Sequence, residues 1–303
     1  MKVSVQSRSG RDLGTFTLED GSTLSALQEA FHSAHKKYYP DRQRFYGKQD
    51  PSTAKKPVAL SSEDALVDDC TLVFKDLGPQ ILWKTVFIVE YLGPLLLYPL
   101  FYTQPAWMYG TTLPPSSDAA REVQMAALMA WTFHYAKREF ETLFIHRFSH
   151  ATMPLRNIFK NSFYYWGFAA YVAYFVNHPL YTPPTQQYLA VGLCVFYFME
   201  VGNFTAHLTL RNLRPAGTRV RKIPRGGLFE FVSCPNYTFE IMAWLGFNVM
   251  TRTVAGILFM CAGAFQMILW AQGKHRRYKK EFDGQDGRPL YPPNRKIIFP
   301  FVY

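Results

Sequence analysis

The pattern of hydrophobic and polar positions changes near residue 77. Before it, MKVSVQ and LGTFTLED alternate apolar and polar residues around the turn-forming SRSGRD, which predicts a β-hairpin. A Ser/Thr cap in GSTLS leads into SALQEAFHSAHKKYY, apolar at helical spacing, and TLVFKDL supplies a further strand. That order predicts an α+β, ubiquitin-like (β-grasp) domain over residues 1–77, a cytosolic appendage to a membrane domain over 78–303.

Beyond the break, apolar stretches of roughly 17–24 residues recur, enough to cross a hydrocarbon core of about 30 Å. They cover 81–103, 122–145, 161–177, 188–208, 230–250 and 254–272. The expected fold is an all-α polytopic membrane bundle of six to seven transmembrane helices. Segments 104–121 and 251–253 each hold one Lys/Arg, and 178–187 holds none. By contrast, 146–160 carries Arg147, Arg156 and Lys160, and 209–229 carries Arg211, Arg214, Arg219, Arg221, Lys222 and Arg225. The tail adds Lys274, Arg276, Arg277, Lys279 and Lys280. Rich and poor connections alternate, so the positive-inside rule puts both termini in the cytosol. MKVSVQSRSG lacks an apolar leader, so the first span is expected to act as the insertion signal.

Composition refines this picture. A net charge of +11 over 303 residues is compatible with nucleic acid or anionic lipid. Its confinement to loops favours topology and phosphate binding, with no nucleic-acid partner. Phe and Tyr are abundant, 26 and 19, which suits interface belts and a stacked planar ligand alike. Cys70, Cys194, Cys234 and Cys261 have no metal-ligand spacing, and neither HExxH nor a His-box set occurs; no metal is expected. No G-x-G-x-x-G or G-x-x-x-x-G-K-[ST] string supports a Rossmann or P-loop site.

Ionisable groups inside apolar spans are costly and mark candidate sites. Glu90 lies near the middle of the first span; an ion pair with a neighbouring helix is its plain alternative. Tyr135, Arg138, Glu139 and Thr142 share a face of the second, which could equally be a snorkelling belt. On the fourth, Glu200, Asn203, His207, Arg211 and Arg214 fall within an arc of roughly 80°. A basic helix end explains the arginines but not the deep Glu200 and Asn203. Such a stripe suits a nucleotide: Arg for phosphates, amide and carboxylate for ribose and carboxamide. Pro224 and Gly226-Gly227 break the chain before the fifth span, on which Tyr237, Glu240 and Trp244 align. His275 and Tyr278 share one turn beside a basic cluster.

The strings HRFSHATMPLRNIFKNSFYYWGFAAY, NHPLYTPPT, LRPAGTRVRKIPRGGLFEFVSCPNY and WAQGKHRRY closely resemble the trans-2-enoyl-CoA reductase family of very-long-chain fatty acid elongation. The C-terminal half also resembles the wider steroid 5α-reductase family, in N-x3-H-x6-R, IP-x-GGLF, HRxY and a terminal PF. The resemblance implies NADPH-dependent reduction of trans-2-enoyl-CoA in the endoplasmic reticulum membrane, beside the condensing enzyme, the 3-ketoacyl-CoA reductase and the 3-hydroxyacyl-CoA dehydratase. It implies Tyr237 as proton donor, with Tyr135 and Glu90 as carbonyl polariser or alternative acid. Cofactor contacts are implied for Asn203, His207, Arg211, Arg214, Lys222, Asn236, Glu240, His275, Tyr278 and Arg138. Steroid reductases carry a carboxylate where His207 stands, and they lack the tyrosine at Tyr237. Competing expectations are a steroid or polyprenol reductase of the same fold, a methyltransferase-like enzyme using S-adenosylmethionine, and a non-catalytic scaffold.

Overall fold

The computed structural model describes residues 1–47, 59–148, 151–215 and 221–303; Arg219 lies outside the described residues. The chain forms two units, Met1–Trp83 with His150–Asn157, and Lys84–Ser149 with Ile158–Tyr303.

In the first unit, β1 (Lys2–Ser7) pairs antiparallel with β2 (Asp12–Thr17) and parallel with β4 (Cys70–Asp76), which pairs antiparallel with β3 (Gln43–Gly47). The sheet order β2-β1-β4-β3 fits a β-grasp. Alternation on β1 turns Val3 and Val5 to the face that α1 (Leu24–Ala34) covers with Leu24, Leu27 and Phe31. The helix stops earlier than the apolar spacing predicts. His35 leaves helical backbone at φ −129°, and the Tyr38 ring folds back to 5.0 Å from Phe74, capping the core from a turn. A short ladder, β5 (Gln80–Leu82) with β6 (Thr152–Pro154), completes this unit.

The second unit is helical: α2 (Trp83–Tyr102), α3 (Ala106–Tyr109), α4 (Asp118–Phe140), α5 (Arg156–Val176), α6 (Gln186–Asn212), α7 (Pro235–Thr251) and α8 (Val254–Glu281). Among the described residues α2, α6 and α8 are long and apolar enough to cross a bilayer, which makes this a membrane protein. The other expected spans are also helical, but more polar or shorter. The α4 helix carries Arg121, Glu122, Lys137, Arg138 and Glu139, α5 opens with Arg156 and Lys160, and α7 has only 17 residues.

Two predicted boundaries move. The span read as 122–145 leaves α-helical geometry at Glu141 for a π-helical turn, Glu141–Ile145, with His146 N bonded to Glu141 O at 2.7 Å. The span read as 230–250 begins at Pro235, a residue suited to a first helical turn. Before it, Gly226 and Gly227 adopt positive φ, and Gly226 N donates to Glu230 Oε1 at 2.7 Å.

Helices α6 and α7 cross backbone to backbone. A Cβ on Gly246 would meet Phe196 N at 2.7 Å, and one on Gly192 would meet Gly246 O at 2.7 Å. In α2, Pro94 cannot donate to the helical ladder, and two indoles serve carbonyls nearby. Trp166 Nε1 donates to Val89 O (3.1 Å) and Trp131 Nε1 to Pro94 O (3.2 Å).

Candidate active site

Helices α4, α6 and α7 meet through a closed ring of polar side chains. His134 Nδ1 donates to Glu200 Oε1 (2.7 Å), and Glu200 Oε2 pairs with Lys137 Nζ (2.8 Å). Lys137 donates to Asn203 Oδ1 (2.5 Å), and Asn203 Nδ2 donates to Glu240 Oε2 (3.0 Å). Glu240 Oε1 returns to His134 Nε2 at 3.3 Å. The same Asn203 amide donates to the Asn236 carbonyl (2.9 Å), tying α6 to the first turn of α7. Glu200 and Asn203 are both 1 % exposed, a depth at which polar groups persist only when partnered.

A second cluster lies one turn on. The π-turn presents Glu141, wholly buried, to four basic groups: Arg138 NH1 (2.8 Å), His207 Nδ1 (2.9 Å), Lys137 Nζ (3.6 Å) and His146 Nε2 (3.9 Å). Glu141, His146 and His207 bring ligand atoms within 4.8 Å of one another, a spacing that metal ligands adopt. Arg138 and Lys137 already neutralise this carboxylate, however, and their charge disfavours a further cation. The surplus suits an anion.

Arg138 NH2 donates to Tyr91 Oη (2.8 Å) and so leads into an aromatic enclosure. Tyr135 stands there among Trp131, Tyr91, Trp244 and Tyr165, at ring separations of 5.2, 6.2, 6.3 and 6.5 Å. Its hydroxyl is buried with no hydrogen-bond partner among the described residues. Glu90, 2 % exposed, accepts from Asn161 Nδ2 (2.8 Å) rather than from Tyr135. The expected Tyr135–Glu90 pair is thus brought into one region without a direct bond.

Tyr237 lies apart from that enclosure. Its ring packs near Trp270 (6.3 Å) with Lys274 Nζ 5.0 Å from its centroid, both on α8. Glu240 and Trp244 reach α4 and α6. Tyr237 and Trp244 keep nearly one face, two turns apart, and both meet α8, with Trp244 4.7 Å from Phe259; Glu240, about 60° round from Tyr237, turns to α4 and α6.

Among the other expected residues, Asn236 is 6 % exposed and its Oδ1 has no donor among the described residues. Arg211 and Arg214 are half-buried at the end of α6, where Arg214 donates to Arg147 O (3.1 Å), and Lys222 is exposed. His275 Nδ1 bonds Ser233 Oγ (2.6 Å), and Tyr278 stacks on Tyr291 at 5.4 Å. These two stand in a separate C-terminal cluster. Sequence reasoning missed His134, Lys137, Glu141, Tyr91 and Asn161. The first three stand in plain view in HYAKREFE, spaced by three and four residues, but their arc centres roughly 120° from the face expected to carry Tyr135, Arg138, Glu139 and Thr142.

Residues 151–303 match the family described as 3-oxo-5-alpha-steroid 4-dehydrogenase. The chain is 47 % identical over 306 residues to a very-long-chain enoyl-CoA reductase of Dictyostelium discoideum, covering 98 % of each chain. It is 53 % identical over 258 residues to a probable very-long-chain enoyl-CoA reductase of Caenorhabditis elegans, covering 81 % of this chain and 78 % of that one. A human trans-2,3-enoyl-CoA reductase-like protein is 34 % identical over 292 residues, covering 93 % and 77 %. With near-complete coverage at such identity, and the steroid-dehydrogenase domain in its C-terminal half, the chain belongs to the very-long-chain enoyl-CoA reductase family.

Proposed function

We propose that this protein reduces the double bond of long trans-2-enoyl-CoA thioesters with NADPH, the last step of the very-long-chain fatty acid elongation cycle, and thereby feeds sphingolipid and other lipid synthesis. The observation that carries the reading is near-full-length likeness to reductases of that name. The polar cluster of α4, α6 and α7 supplies the chemistry that reaction needs.

The residues fit a nicotinamide dinucleotide. Asn236 Oδ1 is a buried acceptor with no donor among the described residues, and a carboxamide NH₂ provides one. His207, Arg138, Arg211 and Arg214 run from the buried cluster toward the cationic end of α6, a course suited to ribose and pyrophosphate. NADPH, when bound, supplies the hydride. Tyr237 donates the proton to the α-carbon, with Lys274 as the cation beside it. Tyr135 donates its unengaged hydroxyl to the thioester carbonyl and holds the developing enolate. Glu90 acts through the Tyr91–Arg138 wall. Glu240, Asn203 and the ring around them position α7; Lys222, His275 and Tyr278 complete the cofactor's cytosolic side.

A membrane site follows from the substrate. Each buried CH₂ is worth about 0.8 kcal/mol, so a long acyl chain partitions into lipid or a greasy tunnel while CoA stays in water. We place the protein in the endoplasmic reticulum membrane with six crossings and both termini cytosolic, a β-grasp domain over 1–77 and a catalytic domain over 78–303. The condensing enzyme, 3-ketoacyl-CoA reductase and 3-hydroxyacyl-CoA dehydratase are its partners.

The family description of residues 151–303 favours one second reading, reduction of a steroid or polyprenol. Purified protein given NADPH and either a long enoyl-CoA or a 4-ene-3-ketosteroid separates them. Consumption of NADPH with the thioester alone is expected; turnover of the steroid alone reverses the assignment.

A further inference from the structure

Charge in the first unit is segregated to its two ends. Strands β1 and β4 run parallel, with β2 and β3 against them. The turn after β1, the start of β2, the end of β4 and the start of β3 therefore share one end. The C-terminal end of α1 is held there too, His35 Nε2 donating to Leu13 O (2.9 Å) and Arg42 NH1 to Lys37 O (3.5 Å). Beyond the Arg42–Asp76 pair, that end carries Arg8, Arg11, Lys36, Lys37, Arg44 and Lys75, against Asp12 and Asp41. The other end carries Glu19, Asp20, Glu63, Asp64, Asp68 and Asp69. Met1 N pairs with Asp20 (2.9 Å), Lys2 N donates to Asp68 Oδ1 (2.6 Å) and Leu24 N to Asp64 O (3.0 Å), which places these acids together.

The basic end is not neutralised from within. Arg8, Arg11, Lys36 and Lys37 are exposed and make no ion pair among the described residues. Arg44 stands directly opposite Lys75, on the sheet face away from the buried Phe45 and Phe74. Like charges facing each other across strands repel, so this arrangement favours an anion laid over it. The chain also enters the membrane from this end. Leu77 N donates to Arg42 O (2.9 Å) and Gln80 N to Tyr39 Oη (2.7 Å), which fastens β5 here. β5 runs directly into Trp83, the first residue of the membrane-crossing α2, and Leu82 and Leu155 are exposed on its ladder.

We propose that this basic end docks on anionic phospholipid headgroups of the bilayer that α2 enters. Cations beside exposed apolar side chains, next to a membrane helix, are the combination that an anionic lipid surface attracts. The two-ended charge makes the attraction directional, because the same surface repels the acidic end. The inference rests on the cytosolic placement of the termini only for the choice of leaflet, which is then the cytosolic one.

Hydrogen exchange of the full-length protein in nanodiscs, read by mass spectrometry, tests this. One disc is phosphatidylcholine alone, and the other is equal parts phosphatidylcholine and phosphatidylserine. In the anionic disc, exchange over residues 7–12 and 35–42 is expected to slow by about fivefold or more, the effect of one cation at an anionic surface. Exchange over 19–22 and 61–69, at the acidic end, is expected not to slow. Raised salt, which screens exposed charge, is expected to reverse the protection. So is the joint variant Arg8→Glu, Arg11→Glu, Lys36→Glu and Lys37→Glu, all at exposed positions. Wild-type protein in raised salt decides if that variant fails to fold. The two faces of a nanodisc are alike, so a failed test refutes docking and leaves the proposed orientation standing. Equal exchange of the basic end in the two discs overturns the proposal, as does equal slowing at both ends, or protection that survives charge reversal and salt. Protection by poly-glutamate in the neutral disc, with none from anionic lipid, overturns it in favour of an acidic protein segment.

Discussion

His134 Nδ1 lies 2.7 Å from Glu200 Oε1, and this contact closes a ring in which His134, Glu200, Lys137, Asn203 and Glu240 join three helices. Removing one member leaves the others buried and unmatched, the costly case for interior ion pairs. His134→Ala and Glu200→Ala are each expected to destabilise the protein by about 3–5 kcal/mol. In a double-mutant cycle the pair is expected to be non-additive by about 0.5–3 kcal/mol. Thermal unfolding of the purified variants reads both; strict additivity would show that the ring does not act as a unit.

The Tyr135 hydroxyl makes no hydrogen bond among the described residues, so stability does not depend on it. Tyr135→Phe is expected to leave the unfolding midpoint unchanged or raised while lowering turnover. A clear drop in midpoint would mean the hydroxyl has a structural partner.

Tyr237→Phe is expected to reduce turnover by about 10²–10⁴-fold, the usual contribution of a positioned proton donor. Its affinity for NADPH, followed by quenching of intrinsic fluorescence, is expected to stay near that of the unmodified protein. Comparable losses in affinity and turnover would reassign Tyr237 to binding.

Gly246 carries no side chain because α6 leaves no room for one: its Cβ would stand 2.7 Å from Phe196 N and 2.9 Å from Gly192 O, both backbone. Gly246→Val is expected to force the helices apart and cost about 1–3 kcal/mol or prevent folding. Gly167→Ala meets nothing within 4 Å and is the matched control, expected to be neutral within about 0.5 kcal/mol.

Outside the membrane helices, Arg42 Nε and NH2 bind the two oxygens of Asp76 at 2.6 and 2.8 Å. The guanidinium holds the Asp76 carboxyl below its ordinary value of 3.8. A depressed carboxylate contributes stability above its unfolded value and loses it as pH falls through the folded one. The protection factors of the β4 amides, which correct for the slowing of intrinsic exchange in acid, are therefore expected to fall on acidification below about pH 4, and Arg42→Met to weaken that pH dependence while Gly78 N still donates to Asp76. Unchanged acid sensitivity in the variant would remove Asp76 as its cause.

Much of this architecture was readable from periodicity. Alternation in MKVSVQ gave β1 its buried valines, and the deep Glu200 and Asn203 announced a polar seam on α6. What stayed hidden depended on neighbours that a sequence does not display. The helical period places Tyr135, Arg138 and Thr142 on one face, yet only the packing of α6 against α4 reveals that His134 and Lys137 face inward too. The π-turn at Glu141–Ile145 has no signature in apolar spacing, and it is what aims Glu141 at four basic groups. Tyr237 and Tyr135 are rivals for one role on spacing and resemblance alone. Tyr135 packs near Trp244 and Tyr237 near Trp270, in separate clusters of packed side chains.

The central claim is that this chain saturates a long enoyl-CoA by adding a solvent-derived proton at the α-carbon. Mass spectrometry of the acyl-CoA formed by purified protein in D₂O with unlabelled NADPH tests it most directly. The account predicts a saturated acyl-CoA carrying one deuterium, at the α-carbon; deuterium at the β-carbon, or no saturated product, would contradict it.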